Sequence, residues 1–406
     1  MTEAVSEALV RLNVMTGNQQ ETAEMLKRAF NWMTGKLHDE VIRLKDDRSR
    51  GFKDALPSEE ALRFLYMDAI DGRSLSSKGE TDKAYLVNLI ADHGSAMTIY
   101  GKAKTAVILA KNNHVREAKE YLQSINEYSV YTDEAGRYFD TSKAQYSWCD
   151  YKIPTEVAVI EGLRILDPKS KAIDEMKRWL LQEKRTTSWD TPVNAVDAVY
   201  AFGVDSLIPS KKGDFSVISI DGKRLVTSPA LAGLGYVKSS VVDSHPKILT
   251  VDKTDEGISW GAVYAQFMQK SADVQNSRSG MTITKEIFSP SGSKIGDVSL
   301  QVGERVKVRL TITCDRDYDF VQVSDHRPAC FEPVNQLSGY QRNYYYAPKD
   351  EVTNYFFDGL SKGSHILETE YVVDRTGSYQ SGTCTVQCAY SPAYGAHTTA
   401  QTYVVK

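Results

Sequence analysis

The residues whose types could support chemistry are the cysteines, the histidines and several closely spaced carboxylates. The five cysteines contain no Cys-x-x-Cys pair, and the seven histidines contain no His-Glu-x-x-His pattern. These spacings exclude a zinc ribbon, a thioredoxin-type site and a zinc-protease helix. The chain also lacks a Gly-x-Ser-x-Gly nucleophile motif. The sequence therefore predicts no catalytic site, no cofactor and no metal.

The cysteines leave two possibilities open. They are Cys149, Cys314, Cys330, Cys384 and Cys388. Cys384 and Cys388 lie four apart in a predicted strand, on one face and ~13 Å apart along it, too far to bond each other. Cys314, Cys330 and Cys388 either pair across a sandwich or remain buried free thiols.

Two sets of carboxylates define alternative sites. A glycan-processing enzyme needs two carboxylates roughly 5–10 Å apart, and Glu156 and Asp190, near predicted helix starts, are the candidates for that reading. Alternating aspartates at 315–319 offer hard oxygen ligands for calcium, as do the acidic residues between 133 and 140. The other explanation for both acidic segments is an ordinary polar turn.

Composition limits the class of protein. The net charge is −4, and no cluster of lysine and arginine of the kind that follows phosphates is present, so nucleic acid is not an expected partner. No apolar run approaches the ~18 residues needed to span a bilayer, so this segment is not expected to insert in a membrane. At 406 residues, two or three domains are expected.

Residues 1–208 have the spacing of apolar residues that is typical of helices. About nine helices follow one another through short turns, which predicts antiparallel helical hairpins arranged as an α/α toroid. Ser58, Asp167-Pro168 and Thr191-Pro192 are predicted to begin helices, because their side chains accept free N–H groups and proline lacks one. The aromatic segment 128–150 is expected to fold over the rim of the toroid.

The pattern changes to strands after Pro209. Asp221-Gly222 predicts a hairpin in a short β domain at 209–272, where further strands are expected at 234–238, 248–253 and 258–268. From residue 273, longer strands alternate, with Met281, Ile283, Lys285 and Ile287 on one face. About seven such strands predict an antiparallel, immunoglobulin-like β-sandwich. The fold class is thus multidomain α and β, with an N-terminal α/α toroid followed by antiparallel β domains.

A long, proline-containing loop and a tyrosine cluster follow the strand that begins near Asp319. Because the loop carries Phe331, Leu337 and Tyr340, it is expected to pack on its own sheet. Tyr344–Tyr346 then start another strand. Tyrosines of this kind suit interfaces, although one inner tyrosine in the core with outer ones covering it would explain the cluster equally.

This region also carries a family resemblance. The run DHRPACFEPVNQLSGY at 325–340, the tyrosines at 344–346, and the segments 354–363 and 386–392 resemble the C-terminal β-sandwich of bacterial α2-macroglobulin-like proteins. The resemblance covers most of residues 275–406. Upstream, Trp189-x-Thr191 with the alanines that follow resembles a late hairpin of the thioester domain, which is an α/α toroid, and 211–271 resembles half of a CUB-like domain.

The resemblance implies a C-terminal fragment of such a protein. It assigns 1–208 to a partial thioester-type toroid, 209–272 to a partial CUB-like domain, which is expected to be poorly ordered, and 273–406 to a macroglobulin-like sandwich. The first part of the toroid and the natural export signal would lie upstream. The thioester motif Cys-x-Glu-Gln does not occur in this chain.

The implied function is broad inhibition of endopeptidases by entrapment in the cell envelope, in the periplasm or on the outer surface. The implied partners are target proteases and upstream domains of the same protein, with Tyr340, Tyr344, Tyr345 and Tyr346 as the candidate interdomain contact. One alternative is an envelope scaffold linked to peptidoglycan synthesis. Another is a glycan-processing toroid enzyme with a carbohydrate-binding sandwich.

Overall fold

A computed structural model of the chain describes residues 2–17, 20–92, 97–133, 135–140, 151–187, 189, 191–206, 217–225, 247–253, 261, 263–264, 267–296 and 299–406. Two compact units are present. One comprises residues 1–181 and 189–261, and the other comprises residues 182–188 and 262–406. Cys149, Asp190 and the predicted strand at 234–238 lie outside the described residues.

Nine α-helices occur among the described residues. They are α1 Thr2–Thr16, α2 Gln20–Ser49, α3 Glu59–Asp71, α4 Ser77–Asp92, α5 Ile99–Lys111, α6 Val115–Ser124, α7 Lys152–Leu166, α8 Lys171–Thr186 and α9 Pro192–Ser206. Alternate helices pack side by side as α1–α3–α5–α7–α9, and α9 packs back against α1, so these five close into an inner ring. Helix α2 packs outside against α1 and α3, and α6 packs against α5 and α7. The predicted helical-hairpin toroid is therefore confirmed.

The helices form where apolar spacing and capping residues predict them. One side of α2 is buried at intervals of three or four residues: Leu26, Phe30, Met33, Leu37, Val41 and Leu44. At the start of α3, the Ser58 hydroxyl accepts the backbone N–H of Ala61 at 3.3 Å. The Thr191 hydroxyl likewise accepts the Asn194 N–H at 3.1 Å, at the start of α9.

One predicted cap is wrong. Asp167 ends α7, where its backbone N–H bonds the Leu163 carbonyl at 2.7 Å, and α8 begins only at Lys171. Pro168 therefore lies in the turn between the two helices. An Asp-Pro pair suits a turn as well as a helix start, and the local sequence did not distinguish them.

The aromatic segment after α6 contains a hairpin of β1 Ser129–Thr132 and β2 Gly136–Phe139. Its Phe139 is buried in the core of the helical unit. Gly136 has φ +85° and lies against the backbone of Glu175 and Trp179, where a side chain would collide. The expectation that this segment folds over the helices is confirmed for 129–139, and residues 141–150 are outside the described range.

A small sheet contains β3 Val217–Ile220, β4 Lys223–Arg224 and β5 Leu249–Asp252, in the order β4-β3-β5. The predicted hairpin turn is present, with φ +46° at Asp221 and +77° at Gly222. The described residues of the predicted strand at 258–268 are not in a strand.

The C-terminal unit is a β-sandwich. Its strands are β6 Ser277–Ser279, β7 Met281–Phe288, β8 Ser299–Leu300, β9 Arg305–Cys314, β10 Tyr318–His326, β11 Phe331–Pro333, β12 Gly339–Tyr340, β13 Tyr345–Pro348, β14 Val352–Leu360, β15 Gly363–Val373, β16 Gly377–Gln380, β17 Cys384–Cys388, β18 Gly395–His397 and β19 Thr402–Val405. Eleven of them hydrogen-bond in the order β11-β15-β9-β7-β6-β18-β17-β10-β14-β13-β12, and β16-β19-β8 form a separate sheet. The predicted antiparallel sandwich is confirmed, with one parallel pair, β19 and β8, among the described strands.

The sandwich core follows the predicted alternation. Val306, Val308, Leu310 and Ile312 of β9 all face inward and are buried. Their register opposite β15 continues over ten residue pairs. A strand with one buried face cannot shift by one residue without exposing its apolar side chains, so this pattern specifies the register.

Candidate functional site

Three aromatic side chains form a row on the outer face of the sandwich. Tyr340 of β12 lies opposite Tyr345 of β13, which lies opposite Phe356 of β14. Directly opposite residues in antiparallel strands share a face. The Tyr340 and Tyr345 rings meet edge to face with centroids 5.0 Å apart. Tyr340 is 82% exposed and Phe356 is 41% exposed, so the row forms an apolar surface at the end of the sheet.

A second aromatic pair lies on β10 and after β17. Phe320 and Tyr390 meet edge to face with centroids 5.1 Å apart, and both are exposed. Phe320 has φ +55°, a left-handed conformation that is unfavourable for a bulky L-residue. Strained residues of this kind concentrate at functional sites. We call the row of Tyr340, Tyr345 and Phe356 and the pair of Phe320 and Tyr390 the aromatic face.

Uncharged polar side chains lie beside the aromatic row. Phe356 lies opposite Gln322 of β10, and Gln322 lies opposite Gln387 of β17. Next to Gln322, the Ser324 hydroxyl donates to the Asn354 side-chain oxygen at 2.7 Å. Amide and hydroxyl groups among exposed aromatic rings are typical of binding surfaces, because rings supply contact area and polar tips supply direction.

The four tyrosines predicted as an interdomain contact divide into two pairs. Tyr340 and Tyr345 belong to the outer row. Tyr346 is buried, and its hydroxyl donates to the Asn335 carbonyl at 3.0 Å. Tyr344 packs inward, with its ring centroid 5.3 Å from that of Phe357. Burial raises the pKa of both Tyr344 and Tyr346. Contact with another domain stays a prediction.

The expectation that the whole loop packs on its sheet is wrong in part. Phe331 is buried, as expected, but Leu337 is 80% exposed and Tyr340 points to solvent. The loop has few neighbours because β12 is the last strand of its sheet among the described residues. An apolar residue in a loop does not reveal from sequence whether a neighbouring element covers it.

Four cysteines of the sandwich are buried free thiols: Cys314, Cys330, Cys384 and Cys388. Burial raises the pKa of Cys314 and Cys330 to about 11. Cys384 and Cys388 lie on one face of β17, as predicted. Of the two possibilities left open by the sequence, the structure selects free thiols.

The helical unit contains a second polar centre, which sequence reasoning missed. The axial cluster comprises Arg11, Tyr66, Glu161, Asp197 and Tyr200, and its members come from four of the five inner helices. Arg11 donates to Asp197 and, at 3.1 Å, to the Tyr66 hydroxyl. Tyr66 and Tyr200 both donate to Glu161, the latter at 2.7 Å. Every member is buried.

Electrostatics hold this cluster together. The Arg11 guanidinium also lies 5.5 Å from the Tyr66 ring centroid and 5.4 Å from that of Tyr200. Burial opposes the charge of Arg11, but Asp197 and Glu7 outweigh it and raise the pKa of the guanidinium. Burial raises the pKa of Asp197 to about 6 against the opposing effect of Arg11. The cluster is therefore an ion pair at neutral pH.

The axial carboxylates are buried and engaged by other side chains of the protein. Glu161 and Asp197 are 6% and 2% exposed, and each is hydrogen-bonded to the protein. Glu156, a candidate for the glycan-processing alternative, is fully buried and accepts the backbone N–H of Phe139 at 2.6 Å. Its predicted partner, Asp190, lies outside the described residues.

The acidic turn at 315–319 uses its carboxylates within the protein. Asp315 accepts the Tyr318 hydroxyl at 2.7 Å, and Asp317 accepts the Lys362 backbone N–H at 2.7 Å. In the described part of the chain, no group of three or more acidic, histidine or cysteine side chains is placed to hold a metal ion. No helix among the described residues has the length and apolar character needed to cross a membrane.

Comparison with known proteins places the sandwich in a family. Residues 280–393 match the model of the bacterial alpha-2-macroglobulin MG10 domain. The sandwich is thus of the macroglobulin type. The resemblance of this sandwich to bacterial alpha-2-macroglobulins, read from the sequence, is confirmed. A search of the curated proteins found no match.

Three solved structures are similar to this chain. The trypsin-activated alpha-2-macroglobulin of Escherichia coli is 13% identical, with TM-score 0.40, over 100% of this chain and 27% of that one. The native E. coli protein from domain MG7 to the C-terminus is 13% identical, with TM-score 0.34, over 100% of this chain and 62% of that one. The Salmonella alpha-2-macroglobulin mutant Y1175G is 14% identical, with TM-score 0.33, over 94% of this chain and 24% of that one. The chain spans 24% to 62% of the length of these three structures.

Proposed function

We propose that this chain is the C-terminal, non-catalytic part of a protein that inhibits endopeptidases by entrapment in the cell envelope. The observation that supports this function is the match of residues 280–393 to the MG10 domain of bacterial alpha-2-macroglobulins. Entrapment requires domains that close around a protease, and it requires no active site.

The aromatic face is the proposed contact with upstream domains of the same protein. Tyrosine rings cover a large contact area and lose little conformational entropy on docking. Gln322 and Gln387 extend the row of Tyr340, Tyr345 and Phe356 across the sheet, and none of these five side chains carries a formal charge. A partner surface therefore need not supply a counter-charge in order to bury it.

Entrapment is tested with the full-length protein and an endopeptidase such as elastase. Enclosure of the protease leaves its active site free, so cleavage of a small peptide continues while cleavage of a large protein substrate falls. Equal loss of both activities would indicate inhibition at the active site. Retention of both would contradict inhibition and favour the alternative of an envelope scaffold.

The docking role of the aromatic face is tested separately by hydrogen exchange of the full-length protein. Replacing Tyr340 and Tyr345 together by alanine is expected to increase exchange in the partner domain and to weaken inhibition. Ile366→Ala is the matched control, because Ile366 is 61% exposed on β15, away from the aromatic face. Equal effects of the two variants would exclude a specific contact.

A further inference from the structure

A lysine lies in the inward-facing, apolar row of β7. The residues buried on this face are Met281, Ile283, Lys285 and Ile287. Lysine is almost never buried without a partner. The position is therefore unusual, and its partner determines how the charge is tolerated.

The partner is Asp325 of β10. Its Oδ1 atom lies 2.6 Å from the Lys285 Nζ atom, and the two side chains are 3% and 1% exposed. Strands β7 and β10 are not neighbours, because β6, β18 and β17 separate them in the order of the sheet. The pair therefore crosses the core and links its two sides.

This ion pair is incompletely satisfied. The second oxygen of Asp325, Oδ2, is buried and has no hydrogen-bond partner in the part of the chain that the structure describes. Burying two charges costs free energy that a contact recovers only when the remaining lone pairs are also hydrogen-bonded. A neutral amide between the same two side chains would remove both charges and one of the two carboxylate oxygens.

We propose that Lys285 and Asp325 condense to an intramolecular isopeptide bond. A proton passes from the Nζ ammonium to the carboxylate, and the neutral amine attacks Cγ. The Nζ–Cγ bond forms, one Cγ–O bond breaks, and that oxygen leaves as water with two of the three ammonium protons. The step needs no oxidant, reductant or co-reactant.

The surroundings favour this step in three ways. The reacting groups are held in contact, which replaces a bimolecular encounter by an intramolecular one. The site is closed to bulk water, which would otherwise hydrolyse the amide back to the two side chains. Burial raises the pKa of Cys384, which lies opposite Asp325 in the register, so its thiol stays neutral and does not compete for the carboxyl carbon.

The protonation state makes the reaction slow. Burial lowers the pKa of Lys285, but the Asp325 carboxylate outweighs it and the net direction is upward. The ammonium must therefore give its proton to Asp325 before it can attack. Formation is expected to proceed with time after folding, and to accelerate on warming below the unfolding temperature.

The test is the intact mass of the purified full chain under denaturing conditions. We expect a mass lower than that of the sequence by one water molecule, and tandem fragmentation that joins the peptides containing Lys285 and Asp325. Lys285→Arg keeps the positive charge and cannot form this bond, so it should restore the full mass. Its circular dichroism spectrum reports whether it is folded.

Two internal controls make the result specific. Lys294 and Glu286 also lie 2.6 Å apart, but in solvent, and should not be joined. Asp221-Gly222 can lose water by forming a succinimide, and Lys285→Arg leaves that change intact. A wild-type chain that is folded and keeps its full mass after prolonged warming would overturn the proposal, as would an equal loss of water in the wild type and in Lys285→Arg.

Discussion

Arg11 of the first helix donates a hydrogen bond to Asp197 of the last helix, across 186 positions of the sequence. The pair lies where α1 packs against α9 and closes the inner ring. The same guanidinium contacts Glu7 at 2.8 Å, and Glu7 in turn accepts a hydrogen bond from Arg63 at 2.9 Å. Closure of the ring therefore depends on buried charge as well as on apolar packing.

Removal of Arg11 is expected to destabilise the helical unit. Arg11→Ala leaves Glu7 and Asp197 buried with less positive charge beside them, which costs about 3–5 kcal/mol. Denaturant unfolding followed by the helical circular dichroism signal measures this loss. Arg116→Ala is the control, because Arg116 is exposed on α6 and its replacement should change stability by less than about 0.5 kcal/mol. Equal effects would show that the buried pair adds no stability.

The Asp197 carboxyl gives a pH dependence of defined sign. Its pKa is raised from 3.8 to about 6 by burial, so the folded state binds the proton more tightly than the unfolded state. Its contribution to the free energy of unfolding is complete below its unfolded pKa and is lost as the pH rises through about 6. Asn cannot titrate, so the stability of the wild type relative to Asp197→Asn should fall from about pH 4 to about pH 6.5.

Titration of Glu7 also changes stability with pH and must be separated from that of Asp197. Burial opposes ionisation of Glu7, but Arg11 and Arg63 outweigh it and lower its pKa. Its contribution to stability is therefore present above its ordinary value of 4.5 and is lost as the pH falls through the lower folded pKa. Glu7 titrates in both the wild type and Asp197→Asn, so the difference in their free energies of unfolding reports on Asp197. A difference that rises with pH would contradict the assignment to Asp197.

Tyr200 is expected to stabilise the cluster through its hydroxyl. Tyr200→Phe keeps the ring and removes the donor to Glu161, which leaves a buried carboxylate oxygen short of a partner at a cost of about 1–3 kcal/mol. Tyr131→Phe removes a hydrogen bond to Asp133 at an exposed site and should cost less than about 0.5 kcal/mol. Urea unfolding of both variants provides the measurement, and a larger loss in Tyr131→Phe would reverse the interpretation.

Gly280 is required for backbone conformation and for space in the sandwich. It has φ +70°, and a side-chain carbon there would collide with the Tyr318 hydroxyl. Gly280→Ala is expected to cost more than Gly292→Ala, since Gly292 also has positive φ, at +91°, but is open to solvent. The positive φ alone destabilises an alanine variant by about 1–2 kcal/mol, and thermal unfolding should show the additional loss in Gly280→Ala.

The double variant separates the two causes. Tyr318→Phe removes the colliding hydroxyl and, by itself, the hydrogen bond to Asp315. Gly280→Ala should therefore lower stability less in the Tyr318→Phe background than in the wild type. If Gly280→Ala lowers stability equally in both backgrounds, strain of the backbone rather than the collision would account for the loss.

Periodicity predicted the elements of this protein. The buried positions of α2 recur every three or four residues, and those of β9 recur every two, because each element turns a fixed face to its core. A turn such as Asp221-Gly222 was equally predictable, since few residue types adopt positive φ without strain. The resemblance carried by the residues around 325–340 added the family.

The contacts between distant elements were not predictable in the same way. Sequence placed Lys285 in an apolar row but did not indicate that Asp325 faces it from a non-adjacent strand. It gave no sign that Arg11 meets Asp197, or that Leu337 and Tyr340 remain uncovered at the end of the sheet. Local spacing determines which side of an element is buried, whereas the pairing of buried charges depends on how separate elements pack together, and only the tertiary structure decides that.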